Sequence, residues 1–149
     1  MYQRQPYAPC NPMADLAFTC VIPEYIHDEL KDSRYYSILA RKAPTRRARE
    51  LLMEFSRDEE THARNFRDTY SMLTGRTPNP PMVEEPNVPE YQEALKQRIL
   101  AETSDYKKYG IDYLRACRTY LKDLFFMTRT IEAQHAMRMP LLMAEARMG

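Results

Sequence analysis

The chain has 149 residues, of which 44% are hydrophobic and 29% are charged, enough for one soluble globular domain with a buried core. The formal net charge of +1 provides no electrostatic basis for binding nucleic acid or an anionic membrane, so neither is expected as a partner. No stretch is apolar for long enough to cross a bilayer, and no signal-peptide core is recognisable, so a cytoplasmic location is expected.

The first predicted segment is an N-terminal arm. Residues 1–22 are rich in Pro, Tyr and Gln, a composition typical of extended or disordered chain. Residues 23–149 contain long helical patterns and no competing strand pattern, so they are predicted to form a single helical bundle.

Proline and glycine mark the ends of the four predicted helices. The first is expected from Pro23 to about Lys42, the second from about Thr45 to Thr74, the third from near Glu90, and the fourth to near the C-terminus with a kink at Pro140. Pro44 should stop the first helix, and Gly75 should cap the second.

Three cysteines, Cys10, Cys20 and Cys117, are spread over this pattern. They form no CxxC pair and leave an odd thiol, which disfavours a disulfide framework and a zinc or rubredoxin-type site. All three are therefore expected to be reduced.

The second and fourth helices each carry an apolar stripe that a Glu and a His interrupt at the same places. The stripes read Ala48, Leu52, Phe55, Glu59, His62, Phe66 and Leu121, Phe125, Thr128, Glu132, His135, Met139. In each ExxH motif the carboxylate and the imidazole lie one turn apart on the buried face. Because an unpaired buried carboxylate costs several kcal/mol, these side chains should be paired or should bind a metal.

A further glutamate precedes each motif by thirty positions: Glu29 before Glu59, and Glu102 before Glu132. The midpoint of each interval falls at a predicted helix break, near Pro44 and Cys117, so each hairpin returns its two glutamates to one level.

The chain is thus two copies of one helical hairpin, offset by 73 positions. The offset also superposes several other residues: Asp32 on Asp105, Tyr36 on Tyr109, Ile38 on Ile111, Ala43 on Ala116 and Leu51 on Leu124. Pairing the two hairpins would bring four Glu and two His together. Such a carboxylate-rich set with one imidazole per metal suits two iron or manganese ions.

The stretches DELKDSRYYSILARKAP, EFSRDEETHARNF, ILAETSDYKKYG and RTIEAQHAMRM resemble the ferritin-like superfamily, closest to its rubrerythrin branch. The resemblance covers roughly residues 22–143. It implies an all-α, ferritin-like four-helix bundle in which the proline-rich segment 76–89 crosses along the bundle between the hairpins. By this resemblance the metal ligands are Glu29, Glu59, His62, Glu102, Glu132 and His135.

The resemblance also implies a function. Two iron ions, or alternatively manganese, would act on hydrogen peroxide or dioxygen with an external electron donor, and a homodimer is one assembly open to the chain. Alternatives are a ferroxidase or iron-handling protein, a di-manganese catalase or a di-iron hydroxylase. A non-enzymatic alternative is a metal-stabilised bundle tethered through its N-terminal arm.

Two departures from rubrerythrins bear on this function. Asp105 stands where rubrerythrins have a further glutamate that changes coordination with redox state, and an aspartate is one methylene shorter. The sequence also has no CxxC pair of the kind that holds the electron-donating iron in rubrerythrins.

Four residues around the expected ligands are candidates for a supporting role. Asp32 and Asp105 follow the lone glutamates by one turn, so they either accept the second N–H of His62 and His135 or stay solvated at the stripe's edge. Tyr36 and Tyr109 would lie beside the metals as in rubrerythrins. In this position each of the two tyrosines would either donate a hydrogen bond to peroxide or to a ligand carboxylate, or pack in the core as an amphipathic side chain.

Overall fold

The computed structural model describes residues 10–148, which are helical apart from their connections, with no strand in that range. A 3₁₀ helix precedes the four α-helices of the bundle. The bounds are Pro12–Cys20 for the 3₁₀ helix, Ile22–Lys42 for α1, Arg46–Thr74 for α2, Tyr91–Arg115 for α3 and Thr119–Arg147 for α4. The predicted all-α, ferritin-like bundle is confirmed.

The helix ends follow from local sequence. At the start of α2 the Thr45 hydroxyl oxygen accepts a hydrogen bond from the backbone N–H of Ala48 at 3.0 Å, a side-chain cap. At its end Gly75 has a φ of 68°, a left-handed conformation that glycine adopts without steric cost. Pro140 lies inside α4, which continues beyond it to Arg147.

The bundle consists of two antiparallel hairpins. α1 packs along α2 and α3 along α4, while α2–α4 and α1–α3 contacts join the hairpins. An apolar cluster fills each end of the bundle, including Leu39, Leu52, Leu95 and Met139 at one end and Ile22, Phe66, Leu121 and Phe125 at the other. A polar layer lies between these clusters.

The connection between the hairpins runs the length of the bundle. It leaves α2 at Gly75 and reaches α3 at Tyr91, which packs in the apolar cluster at the opposite end. On the way it lies along α1, where the Lys42 ammonium donates hydrogen bonds to the carbonyls of Val88 and Pro89 at 2.7 and 3.1 Å. The predicted long crossover is therefore confirmed.

The described part of the N-terminal segment is folded against the bundle. The Asp15 carboxylate is fully buried and accepts hydrogen bonds from the backbone N–H groups of Cys117 and Arg118, each at 2.8 Å. The ring of Phe18 lies 5.0 Å from that of Phe125 between centroids. The segment 10–22 thus differs from the extended or disordered arm that was expected, and residues 1–9 of that prediction lie outside the described residues.

The prediction of three reduced cysteines is wrong. Cys10 and Cys117 form a disulfide, whereas Cys20 is exposed and unbonded. The pairing depends on the docked 3₁₀ helix, which holds the N-terminal segment against the α3–α4 loop, and sequence spacing carries no information about that contact.

Between residues 10 and 148, no helix has both the length and the apolar character required to cross a membrane.

Candidate metal centre

The polar layer is built from the two interrupted stripes. All twelve stripe residues are buried, so the Glu and His of each ExxH motif point into the bundle with the apolar residues around them. Helical periodicity explains this placement, because residues three and four apart share one face. Glu29 on α1 and Glu102 on α3 are buried at the same level, at 4% and 0% exposure.

The six expected ligands form two overlapping groups, in each of which the candidate ligand atoms lie within 4.8 Å of one another. The first group is Glu29, Glu59, His62 and Glu132, and the second is Glu59, Glu102, Glu132 and His135. Each group has one histidine and one glutamate of its own. Glu59 and Glu132 are common to both, so their carboxylates are placed to bridge two cations.

His62 faces the carboxylates with one edge of its ring. Its Nδ1 lies 3.2 Å from Glu29 Oε2 and 3.0 Å from both Glu59 Oε2 and Glu132 Oε1. Burial lowers the pKa of His62, but hydrogen bonds and charge from Glu29 and Glu59 outweigh it and raise the pKa to about 10. The opposite ring nitrogen, Nε2, has no hydrogen-bond partner among the described residues.

His135 is held at both edges of its ring. Its Nδ1 lies 3.0 Å from Glu59 Oε1 and 3.7 Å from Glu102 Oε2, whereas its Nε2 lies 2.9 Å from Asp58 Oδ2. Burial lowers the pKa of His135, but the hydrogen bond to Asp58 and the nearby glutamates raise it to about 11. Because Nε2–H donates to Asp58, Nδ1, which faces the glutamates, is the nitrogen that could bind a metal once its proton is released.

The chemistry of this layer fits a pair of cations. Glu59 Oε1, Glu102 Oε2, Glu132 Oε1 and His135 Nδ1 are buried without a hydrogen bond in the described part of the chain. Glu59 Oε1 and Glu132 Oε1 each lie 3.0 Å from a histidine Nδ1, but neither contact has hydrogen-bond geometry. Burial, followed by the charge of neighbouring carboxylates, raises the pKa of Glu59 to about 7 and that of Glu132 well above its usual value. Cations between the carboxylates would relieve both the repulsion and the missing partners.

Two fully buried tyrosines connect the hairpins across the layer. The Tyr36 hydroxyl of the first hairpin donates a hydrogen bond to Glu102 Oε1, and the Tyr109 hydroxyl of the second donates to Glu29 Oε1. Burial, followed by negative charge from these glutamates, raises the pKa of both tyrosines well above 10, so both stay protonated. Of the roles considered for them, the structure shows the hydrogen bond to the candidate ligand carboxylates.

Asp32 and Asp105 have no hydrogen bond to either histidine, so of the two roles left open for them the structure does not show the one in which they accept the second imidazole N–H. Each aspartate instead pairs with a basic side chain of α3. The guanidinium of Arg98 donates to the two Asp32 oxygens at 2.9 and 2.7 Å, and Lys108 lies 2.8 Å from Asp105. Neither aspartate belongs to either group of candidate ligands.

Sequence reasoning missed Arg98, which is 7% exposed and lies one turn before Glu102. Its Nη2 is 2.7 Å from Glu102 Oε1, and its Nε donates to the Tyr36 hydroxyl at 3.1 Å. Burial raises the pKa of Glu102, but hydrogen bonds from its neighbours and the charge of Arg98 outweigh this and lower it. Its spacing of four residues from Glu102 was the available signal, but the repeat places Tyr25 at the equivalent position.

The repeat gave no signal for Asp58, because the equivalent position in the second hairpin is Ile131. In the structure Asp58 is the hydrogen-bond partner of His135 on the opposite hairpin. Its position directly before Glu59 could have indicated that it lies close to the layer.

A bundle of two antiparallel hairpins with a long crossover and a buried layer of four Glu and two His defines a ferritin-like carboxylate protein. Within that class, residues 24–93, slightly less than half of the chain, match the family model described as Rubrerythrin, so this part of the chain is similar to rubrerythrins. The matched range contains Glu29, Glu59 and His62, and the internal repeat relates them to the second set. No curated protein and no solved structure matched the chain significantly.

Proposed function

We propose that the chain is a dinuclear-metal oxidoreductase that holds two iron ions and reduces hydrogen peroxide or dioxygen with electrons from an external donor. One observation carries the proposal: two groups of candidate ligand atoms share Glu59 and Glu132. Shared carboxylates would hold two cations a few ångströms apart, close enough to act on one small oxygen species. Two ferrous ions bound there would each supply one electron to an O–O bond.

The chain's own residues would fix the geometry of this centre. Asp58 orients the ring of His135. The hydroxyls of Tyr36 and Tyr109 each hold one oxygen of a glutamate that belongs to only one of the two ligand groups. With one oxygen held, the other oxygen of each carboxylate is the one available to a cation. Locked ligands of this kind reduce the reorganisation that binding requires.

The apolar clusters on either side of the layer would keep bulk water out. Phe55 packs against the ring of His135 with centroids 4.2 Å apart, and Phe66 and Phe125 lie on the other side of the layer. Reduction of one hydrogen peroxide to two waters consumes two electrons and two protons. Two one-electron donors held side by side there would supply both electrons, so no radical would need to leave the site.

The test is a single-turnover measurement on protein reconstituted anaerobically with ferrous iron. We expect about one hydrogen peroxide to oxidise two bound ferrous ions, faster than free ferrous iron at the same concentration, and a chemical reductant to restore the cycle. Glu132→Gln should lose this reaction, whereas Glu145→Gln, at the far end of α4, should keep it.

Two outcomes would contradict the proposal. If ferrous iron bound to the protein is oxidised no faster than free ferrous iron, the remaining alternative is a metal-stabilised structural bundle without enzymatic activity. Oxidation by dioxygen followed by release or storage of ferric iron, without a reductive cycle, would indicate a ferroxidase.

A further inference from the structure

Two surface cavities of similar size lie on the bundle, and only the first has a candidate ligand in its lining. The first, about 500 Å³, lies between α2 and α4, and the second, about 480 Å³, lies between α1 and α2. Each is large enough for a hydrated ion or several waters. They differ in what lines them.

The buried candidate ligand His62 is among the residues that line the first cavity. The Nδ1 edge of this ring faces the glutamates, so the Nε2 edge lies on the cavity side. The side chain is 3% exposed, and Nε2 has no hydrogen-bond partner in the range 10–148. The cavity therefore extends from the surface to an unpartnered polar atom of a candidate metal ligand.

The charges that line the two cavities have opposite signs. The first contains Asp58, Asp68 and Asp123, and no Lys or Arg is among the described residues that line it. The second contains three arginines and two glutamates: Arg34, Arg41, Arg57, Glu60 and Glu85. A doubly charged cation is attracted into the first cavity and repelled by the arginines of the second.

We infer that the cavity between α2 and α4 is the route by which divalent cations reach the centre, with the exposed carboxylates of Asp68 and Asp123 attracting the cation and His62 as its first internal contact. The inference rests on the proposed metal centre. Asp68 and Asp123 belong to neither group of candidate ligands, so they should affect the rate of metal uptake and leave the number of bound ions unchanged.

The test is the rate of Co(II) uptake by metal-free protein, followed by stopped-flow visible absorption. The double variant Asp68→Asn, Asp123→Asn should take up Co(II) about 3- to 10-fold more slowly at low ionic strength, with the same final amount bound. The difference should shrink at high salt because exposed charges are screened.

The matched control is Glu24→Gln with Glu84→Gln, which removes the same charge from exposed positions on α1 and the crossover. This variant should take up Co(II) at the wild-type rate. A second pair tests the route by adding charge: Asn65→Arg places a cation in the cavity lining and should slow uptake, whereas the exposed Asn87→Arg on the crossover should not.

Uptake at the wild-type rate in both double variants would overturn the route while leaving the metal centre in place. Equal slowing in both would also overturn it, because uptake would then depend on overall charge alone. Wild-type protein that binds no Co(II) at equilibrium would overturn the metal centre itself, and the route with it.

Discussion

The two histidines of the polar layer are supported differently. His135 donates to Asp58 on the opposite hairpin, whereas the equivalent neighbour of His62 is Ile131, beside the cavity between α2 and α4. Arg98 adds a second difference, because it contacts Glu102 and has no counterpart at Glu29, where the repeat has Tyr25. The two groups of candidate ligands thus contain the same residue types but have different surroundings.

Removing Asp58 should weaken metal binding without unfolding the bundle. In Asp58→Ala the ring of His135 loses the acceptor that fixes its tautomer, and we expect metal affinity to fall about 10- to 100-fold. Competition with a chromophoric chelator measures this change. Glu84→Ala removes an exposed carboxylate from the crossover as a control, and equal affinities in the two variants would show that Asp58 does not position His135.

The sequence was sufficient to predict that these six Glu and His residues come together, because each has a counterpart in the repeat and four of them interrupt a buried stripe. It was insufficient for Asp58 and Arg98, for which the counterparts are Ile131 and Tyr25. Comparison of the two repeats identifies only the residues that both hairpins share, so it misses residues that support only one of the two ligand groups.

At the scale of the helices, the N-terminus of α4 has no cap from its own sequence. Arg118 occupies the N-cap position and makes no side-chain cap hydrogen bond. Asp15 from the 3₁₀ helix supplies the acceptor instead, with both carboxylate oxygens on backbone N–H groups at the start of α4. A negative charge there also interacts favourably with the helix dipole.

Asp15→Ala should therefore destabilise the protein by about 1–2 kcal/mol, because two part-buried backbone donors lose their acceptor. Urea unfolding in the presence of the disulfide measures the change. Glu24→Ala, an exposed acid in the first turn of α1, should stay within about 0.5 kcal/mol of wild type. An equally small effect for both variants would mean that the 3₁₀ helix does not cap α4.

The first two α-helices were predictable because their ends carry local signals such as Pro44, Thr45 and Gly75, whereas the break between α3 and α4 was indicated only by the midpoint of the repeat at Cys117. The 3₁₀ helix Pro12–Cys20 was not, since a proline-rich polar composition is equally typical of disordered chain. Its position depends on Asp15, Phe18 and the Cys10–Cys117 disulfide, all of which are contacts with the distant α3–α4 region.

For the whole molecule, the repeat and the crossover place two ligand sets at one level between two apolar clusters. These clusters do not depend on metal, so metal-free protein should remain helical. Four close carboxylates nevertheless repel one another in the absence of cations. The polar layer is thus the part of the bundle that metal binding stabilises most.

Metal removal should lower the melting temperature while leaving far-UV circular dichroism nearly unchanged. With free metal at about one hundred times its dissociation constant, the stabilisation is about 2.7 kcal/mol per site, which corresponds to roughly 5–10 °C for a chain of this size. Differential scanning calorimetry with and without chelator measures the shift. Identical melting in both conditions would place the metal elsewhere or exclude it.

The most direct measurement is the number of metal ions bound per chain after anaerobic reconstitution with ferrous iron, by elemental analysis of desalted protein. Two overlapping ligand groups predict about two ions for wild type. They also predict a clear loss in Glu132→Ala and His135→Ala and about two ions in Glu145→Ala, where the substituted residue pairs with Arg47 outside the polar layer. A wild-type value near zero or one, or equal metal content in all three variants, would contradict a dinuclear centre built on Glu59 and Glu132.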